Sequence, residues 1–447
     1  MKKTKKIASL EPNSFTAGKQ FAWSLRTFSS IACAMVIGYV TFYGTNILGI
    51  SAGTVGLLLL VSKIFDAITD VLAGFMVDRT NTKWGKARPY ELTIIGLWAS
   101  TVLMYSCPNL GYTGKCIWLF TWYTLVNDVF FTILNADEPV YMMRAIPNRQ
   151  DMEKTASLNG FFTIISVVVV SVAYPLMMEA LGDTAQGWTM MALIFAVPMT
   201  LIGLLRVFFV PEVLTEDVGK KEKISLEDVK TSMTSNHYIW LYLLLVLGAN
   251  LISQIMNAGT YYFTYIVGDV GLMSLAALPA AVTPVFLIFF PKMLKKNTMV
   301  KLCIIGSIVG IVGSVIRQIA GANVGLIVLG TFFLSAGVLP ITTFLYVLLA
   351  DIVAYNEWKT KSRVEGIYAS VGSFGAKIGI GLASVLSGLL LQVSGFISDN
   401  AAAQPDSALS MIKFMYGLLP AILFGIVIVI LAFIDVEKKM KKIRAEA

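Results

Sequence analysis

Long apolar runs alternate with short polar segments along the whole chain. A helix needs about 20 consecutive, mainly apolar residues to span the hydrocarbon core of a bilayer. Lipid offers no partner to backbone polar groups, so runs of this length and composition must be helices. The pattern predicts twelve membrane-spanning helices, at about 21–47, 52–78, 91–111, 115–139, 156–180, 187–210, 238–267, 272–291, 299–320, 323–351, 364–395 and 411–434.

Lysine and arginine residues gather in every second polar segment. They occupy the N-terminal tail, the loops after the even-numbered predicted spans and the C-terminal tail, and they are nearly absent from the other loops. Basic residues favour the cytoplasmic side of a membrane, so both termini are predicted to lie in the cytoplasm. No short apolar run with a small-residue cleavage site follows the opening MKKTKK, and we therefore expect the first span to stay in the membrane.

The composition supports a multi-pass membrane protein, and the expected location is a bacterial-type inner (plasma) membrane. Of 447 residues, 56% are hydrophobic and 14% are charged, whereas soluble domains average about 25% charged residues. The net charge of +8 is spread over the predicted cytoplasmic loops. This distribution predicts attraction to anionic lipid and argues against nucleic-acid binding. We expect a monomer in the lipid bilayer.

The longest polar interval between predicted spans lies midway along the chain, at about 211–236. Six predicted spans precede it and six follow. The sequence therefore predicts an all-α membrane protein with an N-terminal six-helix bundle (1–211), a cytoplasmic middle loop (212–236) and a C-terminal six-helix bundle with a short basic tail (237–447). Two such bundles around a central site are the layout of the major facilitator superfamily.

Ionisable residues interrupt the second predicted span. Lys63, Asp66 and Asp70 stand at spacings of three and four, which places them on one helical face with neighbours about 5–6 Å apart. Charges inside a membrane cost roughly 2.5–3.5 kcal/mol each on insertion scales, and they persist where they pair, face a cavity or bind something. Two adjacent carboxylates repel unless one holds a proton or a cation sits between them. A cation site is the favoured interpretation. Buried ion pairs that only join helices are the alternative, although such pairs give little net stability.

Other spans add polar residues at helical spacing. Asp128, Thr132 and Asn135 form a stripe in the fourth predicted span, and Thr69 adds a hydroxyl oxygen beside Asp70. Hard cations prefer such oxygen ligands. Lys377 lies near the centre of the eleventh span, where a lysine that competes for the carboxylates would couple cation occupancy to shape.

Two further sets of polar residues are open to more than one interpretation. The seventh predicted span carries a polar stripe at helical spacing, made of Asn250, Gln254, Asn257, Tyr261 and Thr264. Amides and hydroxyls bind solutes, but they also join helices to one another. Arg26 and Arg206 lie near predicted cytoplasmic ends, where we expect their guanidinium groups to extend to the membrane surface.

Three segments resemble the glycoside–pentoside–hexuronide:cation symporters. They are KIFDAITDVLAGFMVDRTNTKWGKARPY (63–90), YYFTYIVGD (261–269) and LADIVAYNEWKTKSRVEGIYASVGSFGAK (349–377). The resemblance covers nearly the whole chain and implies secondary transport of a sugar-like solute driven by Na⁺, Li⁺ or H⁺. It implies cation ligands and a coupling lysine at matching positions, namely Asp66, Thr69, Asp70, Thr132 and Lys377. Lys63 joins Lys377 as a coupling candidate, because the two lysines balance the two aspartates in formal charge.

The resemblance is weaker where the solute would bind. Family positions for sugar-binding carboxylates fall here at Ser30 and Asn135, and an arginine position falls near Gly160. The short segment after the fourth helix is replaced by NADEPVYMMRAIP, which brings in Asp137 and Glu138. The galactoside contacts are therefore not carried over. The substrate-binding candidates are Ser30, Asp128, Asn135, Asn257 and Tyr261.

The leading interpretation is a cation-coupled symporter that imports a sugar or glycoside-like solute by alternating access. The neutral oxygens of Thr69 and Thr132 favour Na⁺ over H⁺. One alternative keeps the cation site but carries an amphipathic lipid or another non-sugar solute, and another is a membrane sensor that transports nothing. An enzyme is not expected, because no nucleophile–base pair appears in the sequence.

Overall fold

A computed structural model describes residues 15–80, 82–146, 149–212, 234, 236–294, 296–360, 365–398 and 403–446. These ranges are almost entirely helical and contain no β-strand, with Thr82 and Gly85 forming an isolated antiparallel bridge. A helix satisfies its own backbone hydrogen bonds, so this is the expected architecture for a chain of long apolar runs.

In the described part of the chain, eight α-helices lie before its middle. They are α1 (Ala17–Ile37), α2 (Val40–Phe42), α3 (Ala52–Arg79), α4 (Thr93–Met104), α5 (Tyr112–Thr124), α6 (Thr132–Ala145), α7 (Arg149–Leu181) and α8 (Ala185–Phe209). Two π-helical segments, Tyr43–Ile47 and Leu125–Phe131, continue α2 and α5, and a 3₁₀ turn, Arg88–Leu92, leads into α4.

Ten α-helices follow among the described residues after the middle of the chain. They are α9 (Tyr238–Ile255), α10 (Gly259–Tyr262), α11 (Met273–Val282), α12 (Phe290–Leu294), α13 (Met299–Ala320), α14 (Val324–Thr360), α15 (Glu365–Val393), α16 (Asp406–Tyr416), α17 (Leu418–Ala432) and α18 (Val436–Glu446). The 3₁₀ segments Met256–Ala258 and Thr283–Phe289 and the π-helical segment Phe263–Val267 connect neighbours among them.

Nine helical segments within the described ranges are long and apolar enough to cross a membrane. They are Ala17–Ile47, Tyr112–Met142, Lys154–Leu181, Ala185–Phe209, Tyr238–Val267, Met299–Ala320, Val324–Thr360, Ser370–Val393 and Asp406–Ile443. Helices also lie at the other three predicted spans, in α3, in α4 and in α11 with α12. The total of twelve spans remains a prediction, because these three are short, broken or rich in charge.

The chain divides into two compact units. The first comprises Met1–Tyr43 and Val61–Gly219, and the second comprises Gly44–Leu60 and Lys220–Ala447. Both the lysine and the aspartates of α3 therefore belong to the first unit, together with α4 to α8. The two predicted six-helix bundles and their boundaries remain a prediction.

Buried aromatic side chains fill much of the first unit. Trp188 packs against Tyr43, Tyr105 and Tyr174, with ring centroids 5.3, 5.4 and 6.1 Å apart. Tyr39 stacks on Tyr174 at 4.5 Å. Aromatic pairs at these distances stabilise a core by more than the burial of their surface area alone. These rings therefore hold their part of the first unit together.

Close backbone approach joins α13 to α14 in the second unit. A Cβ atom on Gly337 would lie 2.6 Å from the Cα atom of Gly310, and one on Gly313 would lie 2.5 Å from the carbonyl oxygen of Gly330. Only glycine fits at such contacts, and small residues are the usual means of close helix packing in membranes. All four cysteines of the chain are free thiols.

Candidate functional site

Buried polar residues of α3 meet the α5–α6 region inside the first unit. We call Ser62, Lys63, Asp66, Asp128 and Thr132 the lysine cluster. Lys63 Nζ lies 3.1 Å from Asp128 Oδ1 and 3.6 Å from Asp66 Oδ2, so one ammonium bridges two carboxylates. The side chains of Asp128, Asp66 and Lys63 are 0, 7 and 11% exposed. The cluster is thus nearly withdrawn from solvent.

Hydroxyl groups complete the lysine cluster. Thr132 Oγ1 donates to Asp66 Oδ1 at 2.9 Å, and Ser62 Oγ donates to Asp128 Oδ2. Thr124 Oγ1 donates to Ser62 Oγ at 3.1 Å. Each carboxylate therefore accepts from at least one hydroxyl and also faces the ammonium, which are the conditions under which buried charge persists.

The pairing also fixes how the two helical segments run. Ser62 and Lys63 meet Asp128, whereas Asp66, three residues further on, meets Thr132, four residues further on. The two segments therefore run in the same direction. Asp128 lies in the π-helical segment Leu125–Phe131, and single π-helical turns often occur at functional sites.

In the lysine cluster one ammonium lies between two carboxylates. The oxygen atoms available as ligands belong to carboxylate and hydroxyl groups, which suit a hard monovalent cation or a proton. In the described ranges, no group of three or more His, Cys, Asp or Glu residues has the arrangement of a metal site. Of the four predicted cation ligands, the cluster contains Asp66 and Thr132.

The other two predicted cation ligands lie one turn further along α3. Thr69 is half-buried and its hydroxyl donates to the carbonyl oxygens of Phe65 and Asp66, both at 3.1 Å. This leaves the oxygen lone pairs of Thr69 as acceptors. Asp70 is exposed. Lys377, the predicted coupling lysine of α15, belongs to the second unit and is half-buried.

The predicted substrate-binding residues are distributed over both units. Ser30 is buried and donates to the carbonyl oxygen of Arg26, four residues earlier. Asn135 is exposed, although the sequence places it in one stripe with Asp128 and Thr132. In the second unit, Asn257 is exposed and donates to Gln254 at 2.9 Å. Within the described residues, only Asp128 of the substrate candidates joins the lysine cluster.

Tyr261, the last of these candidates, is buried in a polar contact that the sequence did not reveal. Its hydroxyl shares a 2.7 Å hydrogen bond with Thr45 Oγ1, which also donates to Asn46 at 2.9 Å. Asn46 in turn donates to Tyr265. These four residues belong to the second unit. The pairs are 216 and 219 residues apart, so local spacing carries no signal of them.

A second group of buried charges lies elsewhere in the first unit. We call Arg26, Glu91, Asp137, Glu138 and Arg206 the arginine cluster. Arg26 contacts Glu91 at 3.0 Å and Glu138 at 3.3 Å. Arg206 contacts Glu138 at 2.6 Å and Glu91 at 3.5 Å.

The expectation that both arginines extend to the membrane surface is wrong. Arg26 is 5% exposed and Arg206 is fully buried, because glutamates from two other elements neutralise them inside the unit. Arg26 also donates to the carbonyl oxygen of Leu134 at 2.9 Å. The guanidinium of Arg206 lies over the Trp23 ring at 3.3 Å, a cation–π contact.

A further carboxylate outside both clusters, Glu212, is held by the loop that follows α3. It accepts backbone N–H groups of Lys86, Ala87 and Arg88 at 3.1, 2.7 and 2.8 Å, and Arg144 Nε at 2.7 Å. Gly85 has φ 125°, and a Cβ there would lie 2.3 Å from Glu212. Partial burial alone would raise the pKa of Glu212, but these hydrogen bonds outweigh it and hold the pKa below its usual value.

Comparison with known proteins agrees with this architecture. Residues 27–438 match the family model described as MFS/sugar transport protein. The chain is 31% identical to the isoprimeverose transporter of Lactiplantibacillus pentosus, over 99% of this chain and 94% of that protein. It is 24% identical to the glucuronide carrier protein homolog of Escherichia coli strain K12, over 94% of this chain and 92% of that protein.

Solved structures show the same fold. A D-xylose–proton symporter superposes with a TM-score of 0.66 and 15% identity, covering 92% of this chain and 96% of that one. The nucleoside transporter NupG superposes with a TM-score of 0.63 and 11% identity, covering 93% of this chain and 99% of that one. The chain is therefore a membrane transporter of the major facilitator superfamily, and not an enzyme. Within that superfamily it belongs to the glycoside–pentoside–hexuronide:cation symporters, which confirms the sequence resemblance.

Proposed function

We propose that this protein is a symporter that imports a sugar or glycoside-like solute with a coupling cation by alternating access. The observation that carries the proposal is the lysine cluster, where one ammonium bridges two buried carboxylates that also accept hydrogen bonds from hydroxyl groups. A monovalent cation would compete with the ammonium for these oxygens. Relatives named isoprimeverose transporter, glucuronide carrier homolog and putative glycoside/cation symporter support the sugar-like cargo.

The proposed coupling ion is Na⁺, with Li⁺ and H⁺ as the alternatives. Asp66 and Thr132 already share a hydrogen bond, and Thr69 keeps free lone pairs one turn away. Neutral hydroxyl oxygens beside a carboxylate suit a hard cation. Asp66, Thr69, Asp70 and Thr132 are the proposed ligands. Lys63 holds the carboxylates until the cation competes with it, and Lys377 is the proposed coupling partner from the second unit.

The proposed topology follows the charge alternation. Twelve spans form two six-helix bundles, both termini lie in the cytoplasm, and the protein acts as a monomer in a bacterial-type inner membrane. Asp128, Ser30, Asn135, Asn257 and Tyr261 are the proposed solute contacts. Of these, Asn135 and Asn257 are exposed, which leaves their amides accessible to a solute.

The experiment uses purified protein in proteoliposomes. A panel of monosaccharides, disaccharides, pentosides and uronides is tested with an inward Na⁺ gradient, an inward H⁺ gradient or neither. We expect accumulation of one solute under one gradient. If the protein is folded but no solute in the panel accumulates, the result would contradict a sugar-like cargo and favour a carrier of a lipid or another non-sugar solute.

Asp66→Asn and Asp70→Asn test the cation site itself. Each variant should lose gradient-driven accumulation while staying folded, because an amide cannot supply the negative charge that binds the cation. Asp406→Asn, at an exposed aspartate that begins α16, is the matched control and should accumulate normally. Normal accumulation by Asp66→Asn would rule out the proposed site, and solute counterflow in the same vesicles separates lost coupling from lost solute binding.

A further inference from the structure

Asp137 is a buried carboxyl group that the transport cycle described above does not use. It is fully buried, and neither of its carboxyl oxygens has a hydrogen-bond partner among the described residues. An ionised carboxylate without hydrogen bonds in a low-dielectric interior is strongly unfavourable. Asp137 therefore cannot be held as an ionised carboxylate in the way that the neighbouring glutamates are.

The charged groups near Asp137 belong to the four elements that form the arginine cluster. Arg26 of α1, Glu91 of the 3₁₀ turn before α4, and Arg206 of α8 act on it electrostatically, as does Glu138 beside it on α6. Tyr141, also on α6, faces Arg206 at 4.7 Å and donates to the carbonyl oxygen of Val210. Its hydroxyl hydrogen is thereby already in use.

The formal charges of the arginine cluster do not cancel. Two guanidinium groups face three carboxyl groups, so the cluster lacks one positive charge if all five are ionised. Glu91 and Glu138 each contact both arginines within 3.5 Å, and these contacts stabilise their ionised forms. Asp137 has no such contact. If one carboxyl group is neutral, it is Asp137.

We propose that Asp137 is a proton-binding site, separate from the lysine cluster. A bound proton converts it to a neutral carboxylic acid and balances the two arginines with the two glutamates. A metal cation does not fit there, since it needs several oxygen ligands and would be repelled by two guanidinium groups. A proton needs a single oxygen. Loss of the proton at alkaline pH leaves a net negative charge inside the contacts that join α1, α6 and α8.

Infrared spectroscopy of the reconstituted full-length protein tests the proposal directly. At neutral pH we expect the carbonyl band of a protonated carboxyl group in the wild type and in Asp128→Asn, and its loss in Asp137→Asn. Asp128→Asn is the matched control, because Asp128 is also a fully buried aspartate of the first unit, but one that faces an ammonium group. An unchanged band in Asp137→Asn would overturn the proposal.

Isotope labelling keeps the test valid if a variant fails to fold. In wild-type protein, carbon-13 at the aspartate side-chain carboxyl should shift the band, whereas the same label at glutamate should not. If the frequency of the band does not shift with the aspartate label, the proposal is also overturned. In parallel, the thermal unfolding midpoint of wild type should fall at alkaline pH and that of Asp137→Asn should not. Equal falls in both would contradict a proton at this residue.

Discussion

The lysine cluster and the arginine cluster lie in the same unit, but they hold their charges in different ways. In the lysine cluster a single ammonium contacts Asp66 and Asp128. In the arginine cluster Arg26 and Arg206 each contact two glutamates. Lysine is a compact charge on a flexible stem, whereas arginine presents a rigid fork that makes several bonds at once.

The difference separates an exchangeable charge from a fixed one. Lys63 keeps its carboxylates through one hydrogen bond and one longer contact, and a cation of similar charge can take its place. Arg206 also lies over the rings of Trp23 and Tyr141, and exchange would break all these contacts together. In the proposed transport cycle, the cluster that rearranges is thus built on lysine, while the cluster that joins helices is built on arginine.

The largest expected effect comes from removing a fixed charge. Arg26→Gln removes contacts to Glu91 and Glu138 and a bond to the Leu134 carbonyl. Removing one partner of a buried ion pair typically costs about 3–5 kcal/mol, because the other charge is left uncompensated. We expect the free energy of unfolding to fall by about that amount, measured by denaturant titration in detergent.

Two further variants sharpen this test. Lys19→Gln removes a half-buried positive charge from the same helix and should change stability little. Arg26→Lys keeps the charge but not the three-way geometry, so its stability should lie between those of the wild type and Arg26→Gln. Equal stability of Arg26→Gln and the wild type would show that the arginine cluster does not fix the helices.

The second effect concerns the exchangeable charge. Lys63→Gln removes the ammonium that competes with the coupling cation, so the cation should bind more tightly. A unit charge about 4 Å away contributes about 4 kcal/mol at an effective dielectric constant near 20, and about 1.4 kcal/mol is tenfold in affinity. Part of this is offset by rearrangement, and we expect at least about a tenfold gain, measured by calorimetric Na⁺ titration.

The control for Lys63→Gln is Lys115→Gln, at a half-buried lysine near the start of α5, which should leave cation affinity unchanged. Tighter binding should also slow cation release, and accumulation by Lys63→Gln should fall even though binding improves. Weaker or unchanged Na⁺ binding would mean that Lys63 organises the carboxylates and does not compete for them.

Helical spacing was sufficient to predict much of the lysine cluster. Lys63 and Asp66 share a face because they are three residues apart, and Thr132 follows Asp128 by one turn. Ser62 was missed, although it lies four residues before Asp66 and has the same kind of spacing signal. The same spacing put Asn135 in one stripe with Asp128 and Thr132, but Asn135 is exposed and does not join the cluster.

The arginine cluster was not predictable from spacing. Glu91 lies 65 residues from Arg26, and Glu138 lies 68 residues from Arg206. No periodic pattern within one helix reports contacts at that separation. From sequence alone, each arginine is an isolated charge near a helix end, for which extension to the membrane surface is the reasonable expectation. Their burial follows from partners that only the packing of α1, α6 and α8 brings together.

The smallest expected effect uses Glu212 as the reference carboxylate for Asp137. Glu212 has the donors that Asp137 lacks, namely three backbone N–H groups and Arg144, and its pKa is lowered. A carboxyl group with a lowered folded-state pKa contributes stability above its unfolded pKa, about 4.3 for glutamate. That contribution is lost as pH falls through the lower folded-state value.

Glu212 and Asp137 should therefore respond to pH in opposite directions. At neutral pH, amide hydrogens of Lys86, Ala87 and Arg88 should exchange slowly in the wild type and faster in Glu212→Gln, as hydrogen-exchange mass spectrometry can measure. Protection in the wild type should persist through mildly acidic pH and disappear only below the usual glutamate range. Alkaline pH should leave this loop unchanged while it weakens the contacts around Asp137. If protection at Lys86–Arg88 is instead lost at alkaline pH, hydrogen-bond donors do not decide which buried carboxyl group keeps its charge, and the contrast between the two residues fails.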